Sequence, residues 1–345
     1  MDQLAVARRE LGAGDRMLDG VLVLDKPAGL SSAAAVDRVK RALDAERAGH
    51  GGTLDPIATG VLPICLGVAT KLAQYLLADD KAYEAEGVLG IATDTLDRTG
   101  KIVAERPVAI AEAALRAALA RRVGEQEQTP PAFSAIKQDG VRMYRRARAG
   151  EAVRLEPRRI RIDRLELIAF EPPRFRIAVA CSKGTYIRSL VADLGADVGC
   201  GAHLAELRRT RSGRFGIEDA IPLERVTPET AAAHLVSLTV ATGLPVIAVR
   251  AALVGPVRSG VQLPLAVLGA ELAAPAEPAA PGPAGRFQLV DEAGRLLAIV
   301  RAEGGRVIYD RVFGAGAGAA EGAAEGAAEG AAEGPAEGPD DAANA

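Results

Sequence analysis

The sequence predicts an α+β fold: a large domain on a mainly antiparallel sheet, a small all-β domain after it, and an acidic tail without structure. Three observations carry this. The strand-like runs before residue 243 are not joined at regular βαβ spacing, so they do not assemble as a parallel sheet. After Gly243, short apolar runs alternate with Gly and Pro, as in a small β-barrel. From Gly314 to Ala345 the chain reads GAGAGAAEGAAEGAAEGAAEGPAEGPDDAANA. This four-residue repeat carries nothing larger than Glu and cannot bury enough apolar surface to offset chain entropy. Solenoid repeats are about 20–50 residues long, so it is a disordered tail and not a repeat domain.

The first 17 residues read as a mobile arm. Val21-Leu22-Val23-Leu24 is a short apolar run ending in Asp25-Lys26-Pro27-Ala28-Gly29, a buried strand into a turn. Ser31 or Ser32 caps a helix with Val36, Val39 and Leu43 on one face. Arg47 to Gly67 is Gly-rich with two prolines and few charges. A helix over Thr70–Leu77 and an alternating strand over Lys81–Leu89 follow. Ile110–Val123 places Leu115, Leu119 and Val123 at fourfold spacing, which predicts a helix with those three on its buried face. Strands are expected at Arg158–Leu167 and Phe175–Cys181, and a helix over Ile187–Leu194. In the last domain the runs Pro245–Val249, Phe287–Val290, Leu296–Val300 and Val307–Ile308 read as strands. Ala273–Gly285 is a Pro/Ala-rich loop between them. The bounds are thus 1–17, 18–243, 244–313 and 314–345.

At 345 residues the chain suits two domains of about 100–200 residues each. No run approaches the ~18 apolar residues of a membrane span, and no signal peptide opens the chain, so a soluble cytoplasmic protein is expected. Cys65, Cys181 and Cys200 are neither paired as CxxC nor set at zinc-finger spacing, which fits a reducing compartment. No GxGxxG after a strand and no GxxxxGK[ST] occurs, which removes the commonest nucleotide-cofactor readings. The net charge of −3 argues against a nucleic-acid partner until the charges are located. The tail holds seven acids and no base; without it, 38 acids face 42 basic residues, a net of +4. Lys137–Arg164 holds ten basic residues against four acids, and Arg208, Arg209, Arg211 and Arg214 form a second group. A phosphate-tracking surface and ordinary solvated faces explain these clusters equally well.

Asp55 lies in Gly51-Gly52-Thr53-Leu54-Asp55-Pro56. Asp followed by Pro is a good helix N-cap, which is the structural explanation. The chemical one is a lone carboxylate in a rigid loop, where two glycines let the backbone approach a ligand closely.

Gly49-His50-Gly51-Gly52-Thr53-Leu54-Asp55-Pro56-Ile57-Ala58-Thr59-Gly60-Val61-Leu62-Pro63 resembles the signature loop of the TruB family of bacterial tRNA pseudouridine-55 synthases. Further blocks are similar and fall in family order between Asp19 and Leu223. They are Asp25-Lys26-Pro27 with Ser31-Ser32, Lys81-Ala82-Tyr83, Pro130 to Lys137 with Gly140 to Tyr144, Cys181 to Leu190, and Gly199 to Phe215. Ile57 and Gly51 depart from the usual Leu and Thr. The carboxy-terminal barrel resembles the family's PUA-type RNA-binding domain only weakly.

The resemblance implies a pseudouridine synthase that isomerises uridine 55 in the T-loop of tRNA. Its partner would be the T-arm stem-loop, with no membrane, no obligatory protein partner and a monomeric state. The reaction is an isomerisation, so it requires no cofactor and no metal. Asp55 would be the catalytic carboxylate and Arg188 its partner, lowering its pKa by about 1–3 units. Tyr83 would stack on the target uracil and assist proton loss at C5. His50 would stack where flipped nucleotides leave a gap, and Tyr186 and Leu207 would line the uridine pocket. Lys26 would support the active-site loop or contact RNA backbone. Asp55 could attack C1′, add to C6 or remove a C2′ proton. Two alternatives stand beside this: a guide-RNA-dependent synthase of the centromere-binding-factor type, and a non-catalytic tRNA-binding or folding module.

Overall fold

The computed structural model describes residues 18–134, 137–138, 141–142, 155–268, 285–303 and 306–314. The arm 1–17, the tail after Gly314, the Pro/Ala-rich stretch 273–284 and the basic residues Arg145, Arg146, Arg148 and Arg154 lie outside them.

The Val21–Leu24 run forms β1 (Gly20–Lys26), which turns into α1 (Ser32–Ala42). Of the two candidate serines, Ser31 caps α1, its Oγ accepting from the Ala34 N–H at 3.1 Å. β2 (Ala48–His50) and β3 (Thr59–Leu66) flank the Gly-rich segment. The helix expected over Thr70–Leu77 begins as a 3₁₀ turn (Gly67–Leu72) and continues as α2 (Ala73–Leu77). β4 (Lys81–Leu89) leads to a hairpin of β5 (Ile91–Thr93) and β6 (Ile102–Glu105). α3 (Glu112–Arg121) buries Leu115 and Leu119, but Val123 is exposed. The helix is closed at Arg122, whose side chain pairs with Asp193 and Asp197, so Val123 falls beyond its buried face. Then come β7 (Gly124–Gln128), the short pair β8 (Lys137–Gln138) and β9 (Val141–Arg142), β10 (Arg158–Glu171) and β11 (Arg174–Cys181). α4 (Ile187–Asp197), β12 (Ala202–Ser212), β13 (Phe215–Gly216) and β14 (Ile221–Pro222) complete the large region's strands. Two short helices, α5 (Pro228–His234) and α6 (Leu238–Thr242), were not expected; their sequence signals are the caps Thr227 and Ser237.

The large sheet runs β14-β1-β3-β12-β4-β11-β10-β7, with β2 on β3 and β13 on β12. Every pair is antiparallel except β1–β14 and β3–β12, as the α+β reading requires. One face is covered by α1, α3 and α4, which bury Val39, Leu115 and Leu190 against Leu22, Leu62, Ile177 and Leu204. The other face of β1 and β3 packs Val21, Val23, Val61 and Cys65 against Leu72, Leu76 and Phe215. Burial on both faces explains why β1 reads as an unbroken apolar run rather than an alternation.

The last region is a four-stranded sheet of β15 (Val246–Ala248), β16 (Arg286–Val290), β17 (Leu296–Glu303) and β18 (Arg306–Val312), with α7 (Ala251–Arg258) against it. Its apolar runs are strands as read from sequence; α7 was not foreseen. Leu296, Ile299 and Phe313 join the core of β1 and β3. Gln288 is 1% exposed, and its amide donates to the Thr239 and Leu244 carbonyls while accepting from the Thr242 hydroxyl. No described helix is long and apolar enough to cross a membrane.

Gly60, where β3 begins, adopts φ +99°, and a Cβ there would come 2.2 Å from the Arg209 carbonyl oxygen. Gly60→Ala therefore combines backbone strain with a clash that only a shift of β12 relieves. It is expected to cost about 2 kcal/mol or more, read from urea unfolding; an unchanged midpoint would contradict this packing.

Candidate active site

Asp55 does not cap a helix. The Ala58 N–H closes a turn onto the Asp55 carbonyl at 3.0 Å, and the chain runs straight into β3. Two buried side chains hold this loop. Ser32, 2% exposed, accepts from the Leu54 N–H at 2.7 Å and donates to the Leu54 carbonyl at 3.0 Å. Arg209, 1% exposed, donates from Nε to the Val61 carbonyl at 2.7 Å, from Nη1 to that of Thr53 at 3.3 Å, and from Nη2 to that of Gly52 at 3.0 Å.

Arg188 sits in the first turn of α4, and its side chain is only 5% exposed. Its Nη2 donates to Asp55 Oδ1 at 3.2 Å, while Nε lies 2.8 Å from Oδ2 without being aligned as a hydrogen bond. The same guanidinium donates to the Thr95 carbonyl at 3.1 Å and the Phe133 carbonyl at 3.0 Å. Asp97 Oδ2 stands 3.7 Å from Nη1. Asp97 in turn accepts through Oδ1 from Thr95 Oγ1, the Thr99 N–H and Thr99 Oγ1 at 2.6–2.9 Å. The turn that presents it carries Leu96 at φ 62°, a strained conformation for a leucine.

Arg188 is buried while the Asp55 side chain keeps 33% of its surface open. Burial raises the Asp55 carboxyl above the usual carboxylate range; Arg188 and Lys26 pull it down, and Asp97 adds to the rise. The sequence led to the opposite sign, because it showed the arginine but not the burial.

Tyr83 lies directly opposite Arg209 in the β4–β12 register, half-buried. Burial raises its hydroxyl, and the nearby Arg209 charge works against that rise. Tyr186 occupies the N-cap position of α4. Gln128 accepts from its N–H at 2.8 Å and donates to its carbonyl at 3.0 Å. Its phenol is raised by burial and also feels Asp55 and Arg188. Leu207 is 7% exposed and belongs to the core under the sheet. His50 is half-buried, and its Nδ1 has no partner among the described residues. Burial and the Arg209 charge lower its pKa, which leaves the ring neutral at pH 7. Lys26 is fully buried and donates to the Pro27 and Leu30 carbonyls at 2.8 and 2.7 Å; burial brings its pKa to about 8. That burial ties it to the loop before α1 and not to an RNA backbone.

The second basic group is corrected most. Arg209 is interior, Arg208 forks onto Asp25 at 2.8 and 3.1 Å, and Arg214 donates to the Val240 carbonyl. Only Arg211 of the four is exposed. The sequence missed Ser32 as a loop anchor, Gln128 and Asp97. A Thr/Asp-rich turn such as Thr93-Asp94-Thr95-Leu96-Asp97 gives no signal that one of its carboxylates faces an arginine across the fold. Ser32→Ala leaves both buried Leu54 backbone groups without their partner. It is expected to cost about 1–3 kcal/mol in urea unfolding; a wild-type midpoint would remove Ser32 as an anchor.

The TruB family pseudouridylate synthase N-terminal domain matches residues 40–187, and the tRNA pseudouridylate synthase B C-terminal domain matches residues 188–239. A tRNA pseudouridine synthase B of Stutzerimonas stutzeri (strain A1501) is 53% identical over 209 residues, 61% of this chain and 68% of that protein. One of Aromatoleum aromaticum (strain DSM 19018 / LMG 30748 / EbN1) is 53% identical over 208 residues, 60% of this chain and 68% of that protein. Among solved structures, a chain of a Cbf5–Nop10–Gar1 complex is 26% identical with a TM-score of 0.65, covering 90% of this chain and 87% of that one. The matched region contains Asp55, Tyr83, Arg188 and the sheet that assembles them, and the chain belongs to the TruB family of pseudouridylate synthases.

Proposed function

We propose that the chain is an isomerase that converts uridine 55 in the T-loop of tRNA to pseudouridine, acting in the cytoplasm without a protein partner. One observation carries the reading: a partly open carboxylate, Asp55, is gripped from the protein side by the buried Arg188, with Tyr83 and Tyr186 near enough to feel its charge.

The reaction breaks the C1′–N1 bond, turns the base and forms a C1′–C5 bond; the proton leaves C5 and N1 regains one. The uridine must first leave its stack, at a cost of a few kcal/mol. Tyr83 offers a ring for the flipped uracil, a contact worth about 1–3 kcal/mol. A neutral His50 stacks against RNA without adding charge, and Tyr186 and Leu207 close the pocket. Lys26 braces the segment before α1. Asp55 acts on the sugar or the base as an anion, by attack at C1′, addition at C6 or removal of the C2′ proton. Arg188 opposes the protonation that burial favours, which preserves that anion.

The likeness to a chain of a Cbf5–Nop10–Gar1 complex supports a second reading, a synthase that depends on guide RNA and partners. Pseudouridine mapping of an unmodified T-arm stem-loop incubated with the isolated chain separates the two: turnover at uridine 55 supports the first, and none supports the second. Asp55→Asn is expected to abolish isomerisation while tRNA binding stays within about tenfold, because the group serves chemistry more than affinity. Arg188→Lys is expected to be severely impaired, since a fork becomes a point charge.

The pH profile follows from the raised Asp55. The active form is ionised, so the single-turnover rate falls on acidification at a higher pH than a free aspartate would dictate. Asp97→Asn removes the like charge that adds to the rise, and the acid limb is expected to move to lower pH. A limb that stays in place would detach it from Asp55.

A further inference from the structure

Arg209 departs from what an arginine in a basic cluster normally does. Its guanidinium is a permanent cation kept from water, and no carboxylate pairs with it among the described residues. Its neighbours include two more buried cations: Lys26 and Lys81 both sit at about 8, lowered first by burial and further by the Arg209 charge in each case. A buried charge without a counter-ion is costly unless its hydrogen bonds are made. Here they are made, and all in one place. Nε reaches Val61, Nη1 reaches Thr53 and Nη2 reaches Gly52. The carbonyls of Gly52 and Thr53 are the stretch of main chain that delivers Asp55.

Register explains why one residue can do this. β12 lies between β3 and β4, and Arg209 is the residue opposite Gly60 on one side and Tyr83 on the other. Residues directly opposite in an antiparallel pair present their side chains to the same face. Arg209 therefore emerges beside Tyr83 and passes under the loop that begins β3. Gly52, at φ +155°, lies close over it; a Cβ there would come 3.4 Å from Nη1.

We propose that Arg209 is a positioning residue, whose single buried guanidinium holds the Gly52-Thr53 main chain beside its cross-strand neighbour Tyr83 and so sets Asp55 and the stacking ring in one register. This rests on the isomerase reading given above, because it assigns Arg209 a part in that reaction. A lysine would retain the charge but not the fork, so the Gly52, Thr53 and Val61 carbonyls could not all be engaged at once. Apolar replacement is set aside, because it would leave the three carbonyls unpaired and unfold the loop outright.

The test compares wild type, Arg209→Lys and Arg209→Gln in three measurements: melting temperature, affinity for a T-arm stem-loop, and single-turnover isomerisation at saturating RNA. Arg209→Lys is expected to melt within a few degrees of wild type and to bind RNA within about threefold. Its isomerisation is expected to be at least about thirtyfold slower, a loss of about 2 kcal/mol in the chemical step. If the folded variants isomerise at the wild-type rate, and only their melting falls, Arg209 is a structural strut and the proposal is overturned.

A second arm needs no turnover. Absorbance titration of the tyrosines, with Tyr83→Phe subtracted, follows the Tyr83 hydroxyl, which burial raises and the Arg209 charge pulls back down. Arg209→Gln is expected to move its ionisation to higher pH, and an unmoved titration overturns the contact. Should wild type fail to isomerise any stem-loop, the functional reading falls while this titration still decides whether Arg209 reaches the ring.

Discussion

β12 enters the large sheet between β3 and β4, parallel to the first and antiparallel to the second. The rest of the site depends on that insertion. β3 is continuous with the Asp55 loop and β4 carries Tyr83, and nothing local in the chain brings those two segments together. One strand from more than a hundred residues later joins them. Arg209 is the residue at which both pairings meet, and Gly60 exists in its backbone conformation because β12 passes so near. α4 then packs on the same strand and delivers the buried Arg188 to the protein side of Asp55.

The electrostatics follow from this assembly. The Asp55 loop is held from inside by Arg209 bonded to its carbonyls, while Lys26, equally interior, bonds the carbonyls of the loop before α1. Such contacts fix main chain without neutralising the Asp55 carboxylate, which keeps 33% of its side chain open. Arg188 stands between Asp55 and Asp97 and engages both, so its orientation is set from two sides. Asp97 is anchored by two threonines in a strained turn, which gives the guanidinium a fixed counterpart far from solvent.

The carboxy-terminal sheet is less separate than its change in sequence texture suggests. Its own core centres on Leu289, Leu297 and Val300, yet Leu296, Ile299 and Phe313 face the back of β1 and β3. Gln288 reaches across the boundary at residue 243 to the Thr242 hydroxyl and the Thr239 carbonyl. The carboxy-terminal sheet is thereby held to the sheet that carries the site.

Much was legible from local pattern alone. The apolar run of β1, the alternation of β11 and the fourfold face of α3 up to Leu119 all reflect period and composition, which short stretches of chain set for themselves. The signature loop was equally legible, and so Asp55, Tyr83 and Arg188 could be named before any geometry. What the sequence could not separate was an arginine free to meet phosphate from one engaged within the fold: Arg208 on a carboxylate and Arg209 and Arg214 on carbonyls look alike in a basic run. Nor could it show that burial outweighs Arg188 at Asp55, or that Asp97 faces the same guanidinium. Those facts depend on which strands become neighbours and how much water they exclude. Desolvation and cross-strand register are properties of the assembled sheet, and no window of sequence contains them.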